Sequence, residues 1–291
     1  MGFFDTISRG WKMSKLSMSV VRKDGELMVY MFLCGILSIG AMAAMSLPQY
    51  LEQSWTQTSD GAMSPAYMAF IFSGYMTISI IVTFWNSAII ANSHIRLTGG
   101  DPSFGDGFSA AMKRIHIIII WGIIAGTVGL LLKALSNAGK NSNNGGAQIF
   151  VMIIQIIGAT IWWMLTFFMI PHMVIEGKNV RESMKSSREM FSKTWGENIT
   201  SGLGIGLITF MFGVVIVLLS IGLIAALDPI IGLVIGGLAM SVLIMWSSAA
   251  EQVAVSALYI YSKTGKMPQL YQDMGVAEYS FPTPVHVGRL S

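Results

Sequence analysis

Glu251 is the one acidic residue set well inside an apolar run of this sequence, with Ser247, Ser248 and Gln252 beside it. At the usual helical rise it stands roughly 15 Å from the end of that run. An ionised carboxylate at such a depth is costly, so it must be neutral, hydrogen-bonded or beside water. A carboxyl held that way can bind a proton or a cation, or can anchor one helix to another. No second acidic residue shares its depth and no basic residue lies there, which favours the anchor. His94, His116 and His172 offer imidazoles of the kind that bind transition metals. None of them is read as one of a close i, i+4 ligand pair, and no carboxylate is read beside them at ligand spacing, so no metal site is expected. The 22 methionines are scattered as space-filling side chains. The single Cys34 excludes an intrachain disulfide. Gly202-x-Gly204-x-Gly206 follows no strand, so it is no nucleotide loop. With no G-x-S-x-G elbow, H-E-x-x-H or P-loop, neither an enzyme nor a cofactor is expected.

The elements that position these residues follow from composition. Of 291 residues 53% are hydrophobic and 11% charged, with a mean hydropathy of +0.63. A soluble domain carries about a quarter of its residues charged, so this chain cannot cover a water-exposed globule. Six apolar segments, at about 26–47, 66–95, 115–136, 148–175, 199–227 and 230–261, are too long for barrel strands and read as transmembrane helices. Ser64-Pro65 and Asp228-Pro229 each place a capping side chain before a proline suited to a first helical turn. The fold class is therefore all-α integral membrane. Residues 1–25 form an amphipathic cytoplasmic segment, 26–262 the six-span domain and 263–291 a cytoplasmic tail.

Charge sets the orientation. Five Lys and Arg precede the first span, three follow the second, five follow the fourth and three lie in the tail, against Lys133 and Lys140 on the other side. Sixteen against two places both termini in the cytoplasm of a multi-pass cell-membrane protein. The cations suit anionic lipid headgroups and not a nucleic-acid groove.

The chain also repeats. His94–Gly99 aligns with His172–Gly177 at an offset of 78, and Tyr261–Pro268 follows at a further 88, so each even-numbered span ends at a similar turn glycine, Gly99, Gly177 or Gly265. In that register Glu251 and Gln252 match Trp163 and Met164, and then Trp85 and Asn86. An intramembrane polar cluster of Glu251, Gln252, Asn86, Ser247 and Ser248 follows. Before each odd-numbered span lies a segment of helical spacing: Phe4, Ile7 and Trp11; Phe104, Phe108 and Met112; Val180, Met184, Phe191 and Trp195. Helices of this kind lie in the headgroup plane. Three units, each an interfacial helix and a hairpin, complete the expectation. Small-residue pairs Gly122/Gly126, Gly202/Gly206 and Gly232/Gly236 permit close helix packing.

The stretches Ser8–Trp11 and Val21–Leu27, Gly99–Gly107, and Phe191–Glu197 together resemble an uncharacterised family of prokaryotic six-span membrane proteins, well represented in archaea. The likeness runs to about Gln269. More distantly the layout is similar to the membrane domain attached to some glycerophosphodiester phosphodiesterases, whose catalytic domain this sequence lacks. The resemblance implies no activity. The tail after Asp273, with Phe281-Pro282-Thr283-Pro284, departs from the family pattern and reads as an arm for a partner. The leading expectation is a structural or accessory component of a membrane assembly, in contact with lipids and with partner subunits or further copies of itself. The alternatives are a small-solute or ion permease using the Glu251 cluster, and a lipid-binding or lipid-modifying protein at the cytoplasmic interface.

Overall fold

The computed structural model describes residues 3–51, 55–58, 63–140, 145–195, 203–226 and 229–273. These residues form helices α1 (Phe3–Lys23), α2 (Gly25–Leu51), α3 (Pro65–Leu97), α4 (Phe104–Lys113), α5 (Ile115–Lys140), α6 (Gly145–Thr166), α7 (Met169–Val174), α8 (Val180–Trp195), α9 (Leu203–Ala226), α10 (Pro229–Thr264) and α11 (Gln269–Gln272). A lone bridge pairs Gln57 with Met63.

Among the described residues five stretches are long and apolar enough to cross a bilayer: Gly25–Pro48, Pro65–Leu97, Ile115–Asn137, Gly145–Val174 and Pro229–Thr264. The expected fifth span, 199–227, is represented by a shorter apolar stretch, Ile208–Ile224. That stretch lies within the 24-residue helix α9, Leu203–Ala226. On α6 no residue is buried, and Ile149, Phe150, Ile156 and Ile157 are more than half exposed. So much exposed apolar surface has no place in water. The protein is a multi-pass helical membrane protein in contact with lipid.

Local chemistry starts and stops the helices. Ser64 Oγ accepts the Tyr67 N–H at 3.1 Å and caps α3. Asp106 Oδ2 accepts both the Ser103 N–H at 2.8 Å and the Ser103 hydroxyl at 2.7 Å at the start of α4. These bonds, the backbone one foremost, hold the Asp106 carboxyl below its usual range. Asn179 and Glu182 exchange side chain-to-backbone bonds of 2.9 and 3.4 Å at the start of α8. At the end of α3, Gly99 N–H bonds Arg96 O and Gly100 N–H bonds Ile95 O. That pairing demands a left-handed residue, and Gly99 has φ +94°. Gly177 and Gly265 share that conformation at φ +71° and +72°.

The chain divides into two compact units. The first comprises Met1–Phe32, Ala88–Gly107 and Met190–Ser291. Its core includes Leu27, Tyr30, Ile89, Ile90, Tyr261 and Tyr271. Tyr30 stacks on Phe104 at 4.8 Å and donates to the Phe104 carbonyl at 2.6 Å. The second half of α1 is packed on protein, with Met13, Ser14, Leu16, Ser17 and Val21 buried. Trp246 Nε1 of α10 donates to Met18 O at 3.1 Å. The side chains of Phe4, Ile7 and Trp11, expected to face lipid, lie outside the described residues, as do Asp228 and the Phe281–Pro284 arm.

Ser17 Oγ donates to Met13 O at 3.0 Å and lies 2.8 Å from Tyr271 OH, which therefore donates to it. Burial pushes the Tyr271 phenol up from its ordinary value of 10, with the Ser17 bond pulling the other way. The neutral phenol is thus the folded form. Its stabilising contribution is full below pH 10 and is lost as pH rises through the elevated folded value. Tyr271→Phe is expected to cost about 1 kcal/mol at neutral pH. It should also remove part of the alkaline destabilisation, measured as wild type against variant in thermal unfolding at about pH 8 and about pH 11.

The second unit comprises Leu33–Ser87 and Phe108–Glu189. Trp121 of α5 stacks on Trp162 of α6 at 5.5 Å. Lys133, near the end of α5, reaches the hydroxyl of Tyr75 and lies over its ring. Gly122 abuts the backbone of Ile80, and Gly126 abuts Met76 and Ser79.

Candidate functional site

The fourth span, expected to run unbroken over 148–175, is interrupted. Helix α6 ends at Thr166, a turn covers Phe167 and Phe168, and α7 resumes at Met169. Pro171 is the cause: it has no N–H for the carbonyl of Phe167, and its ring crowds that carbonyl. The freed Phe168 N–H is taken up by Ser187 Oγ of α8 at 3.0 Å. A spanning helix is thereby broken near one end and held open by a side chain.

On the short segment beyond the break sits a charged cluster. His172 is 1% exposed, and its Nδ1–H donates to Glu176 Oε2 at 2.9 Å. The same oxygen lies 2.6 Å from Lys178 Nζ. Lys178 Nζ also donates to Ser186 Oγ at 2.8 Å, and its backbone N–H bonds His172 O across the Gly177 turn. A Cβ at Gly177 would meet the Arg114 guanidinium at 2.1 Å, so that cation lies directly over the turn. Glu176 is 18% and Lys178 33% exposed. One carboxylate oxygen shared by an imidazole N–H and an ammonium can take up a proton delivered through the ring or exchange one cation for another.

The reading that no carboxylate stands beside the histidines is corrected here. Glu176 follows His172 by four residues, the spacing that brings helix side chains together. That signal was in the sequence, hidden because Glu176 read as part of a turn. His94 and His116 do not join this cluster. His94 packs edge-on near Tyr259 at 6.3 Å in the other unit. Among the described residues no group of three or more His, Cys, Asp or Glu is placed to hold a metal ion.

The residues of the expected intramembrane cluster are placed as follows. Ser247 is buried and accepts the Thr209 hydroxyl at 2.7 Å. Ser248 and Gln252 are half-buried on α10, and Glu251 is exposed there. Glu251 makes no hydrogen bond or ion pair with another described residue. Asn86 is half-buried on α3 and belongs to the other unit. Among the packing glycines, Gly232 abuts the backbone of Ile224 and Gly236 abuts Ser220. Gly202 lies outside the described residues.

Residues 65–269 match the profile of a family of unknown function, DUF6159. The chain belongs to the DUF6159 family. The matched stretch takes in the broken α6–α7 span, the Glu176 cluster and all three left-handed glycines of this chain. The α1 helix precedes it. No curated protein matches the chain.

Proposed function

We propose that this protein is a permease for a small solute or an ion, with His172 and Glu176 as its proton-accepting pair. The observation that carries the reading is a spanning helix broken at Phe167–Phe168 with a buried imidazole, a carboxylate and an ammonium on the segment beyond the break. Packing alone gains little from such a group, because desolvating charges offsets most of their attraction. Discontinuous helices are where many transporters place coupling ions. Glu251 is a weaker seat for the chemistry, having no partner among the described residues.

In this reading six helices cross the membrane, α9 being the fifth crossing, and both termini face the cytoplasm. The charge asymmetry of sixteen against two supports that orientation. Three units of interfacial helix and hairpin accord with the left-handed glycines and with α4, where Phe108 and Met112 are exposed and Ala111 is buried. Reporters of cytoplasmic location fused to each terminus should both be active. Activity at one end alone would overturn the topology.

The function is tested with the purified chain in vesicles carrying a pH-sensitive dye under an imposed potential. Wild type should dissipate the gradient. Glu176→Gln should bring the rate to that of empty vesicles, and His172→Gln should move its pH midpoint by about one unit. A wild-type rate equal to empty vesicles, with a stoichiometric partner retained in mild detergent, would replace the permease by an accessory subunit.

A further inference from the structure

We propose that the groove between α1 and α9 binds one anionic phospholipid, its phosphate at α1 and an acyl chain along α9. The groove lies wholly within the first compact unit and has a volume of about 570 Å³. That is within the range of sites that enclose small molecules. Its two walls are helical faces in register. From α1 come Lys15, Met18, Ser19 and Arg22, and from α9 come Ile208, Met211, Phe212 and Val215. Both sets follow the i, i+3, i+4, i+7 spacing of a single helix face.

The walls differ in chemistry. On α1, Lys15 and Arg22 are exposed and Ser19 is half-buried between them. Two turns separate the cations by about 10 Å, so they flank the hydroxyl. Among the described residues no acidic side chain lines the groove. This rim complements a phosphate without a choline to neutralise it. The α9 wall carries no polar group, and Met211, Phe212 and Val215 are each more than half exposed. Trp246 closes the groove with its ring, because its indole N–H is already given to Met18 O. The apolar wall continues along α9 to Leu218 and Leu219, both 63% exposed. An acyl chain entering from the bilayer therefore stays on apolar surface throughout, while its phosphate meets the cations.

A soluble anion would use the rim and leave the apolar wall empty. A zwitterionic lipid would use the wall and gain little at the rim. Only a molecule with both parts uses the whole groove.

The test is native mass spectrometry of the delipidated full-length protein titrated with dioleoylphosphatidylglycerol or dioleoylphosphatidylcholine. The phosphatidylglycerol should bind one per chain, about 25-fold more tightly than phosphatidylcholine, each cation near a lipid surface being worth about fivefold. Lys15→Gln with Arg22→Gln should erase that preference while leaving phosphatidylcholine binding unchanged. Val215→Trp, which fills the groove, should weaken both lipids, and excess glycerol 3-phosphate should displace neither. Equal affinity for the two lipids, or a preference surviving the double substitution, would overturn the proposal. Displacement by glycerol 3-phosphate would make it a site for free phosphate esters instead. Failure of the full chain to bind either lipid would also overturn it.

Discussion

Replacing Asp24 by alanine is expected to destabilise the protein by about 2.5 kcal/mol, less than the full 3–5 kcal/mol of a broken buried pair. The carboxylate of Asp24 receives Arg96 Nε at 2.6 Å and Nη2 at 2.9 Å, a two-pronged contact that holds the start of α2 against the end of α3. Asp24 is 8% exposed and Arg96 32%. Removing the carboxylate would strand a guanidinium with limited access to water. Arg96 keeps a second partner, Asp101, at 2.8 Å, but that side chain is 90% exposed. An exposed partner is worth at most about 1 kcal/mol and explains why the loss falls short of the full penalty. Asp24→Asn retains the shape and one acceptor, and should cost about half as much as alanine. Combining Asp24→Asn with Arg96→Gln in a double-mutant cycle should return a coupling of about 1 kcal/mol or more. The measurement is reversible unfolding in mixed micelles. A loss below about 0.5 kcal/mol for the alanine variant would mean that solvent already screens the pair.

Arg96 illustrates how much of the molecule was legible beforehand. As a member of a basic loop it contributes to a count, and the count yields an orientation. Its pairing with Asp24 spans 72 positions, and no local pattern reports so distant a neighbour. The helices themselves were legible because length and apolarity decide them with little help from context. The Ser64 cap and the turn glycines were legible for a similar reason: their chemistry is complete within a few residues.

The packed faces of the amphipathic helices were harder to read. On α8, bulky residues suggested a lipid-facing side through Val180, Met184, Phe191 and Trp195. The fully buried positions are Ser183 and Ser187, with Phe191 nearly so. Ser187 spends its hydroxyl on the broken helix, and Ser183 donates to Lys178 O at 3.3 Å. On α1, Ser14 and Ser17 are likewise buried. A serine with its hydroxyl satisfied is small enough for close packing, yet hydropathy assigns it to the polar side. The candidate site suffered from the same blindness. Pro171 inside an apolar run and a carboxylate four residues after His172 were both visible, but the run's length outweighed them.

Glycine substitutions along α5 should separate packing from helix propensity, since three glycines on this one helix face different surroundings. At Gly122 an added Cβ would lie 2.6 Å from Ile80 Cγ1 and 2.8 Å from its Cα. Backbone cannot turn aside as a side chain can, so Gly122→Ala must push α3 and α5 apart, at an expected cost of about 2 kcal/mol. At Gly126 the nearest atom is Met76 Cε at 2.9 Å, the flexible end of a side chain. Gly126→Ala should therefore cost less, about 1 kcal/mol. Around Gly129 nothing lies within 4 Å, and alanine there should stabilise by up to about 1 kcal/mol through helix propensity. Unfolding in mixed micelles would rank the three, and equal effects would show that contact with α3 does not set the spacing of α5. Propensity alone favours alanine at every one of these positions, so a change of sign between Gly122 and Gly129 can come only from what each glycine touches.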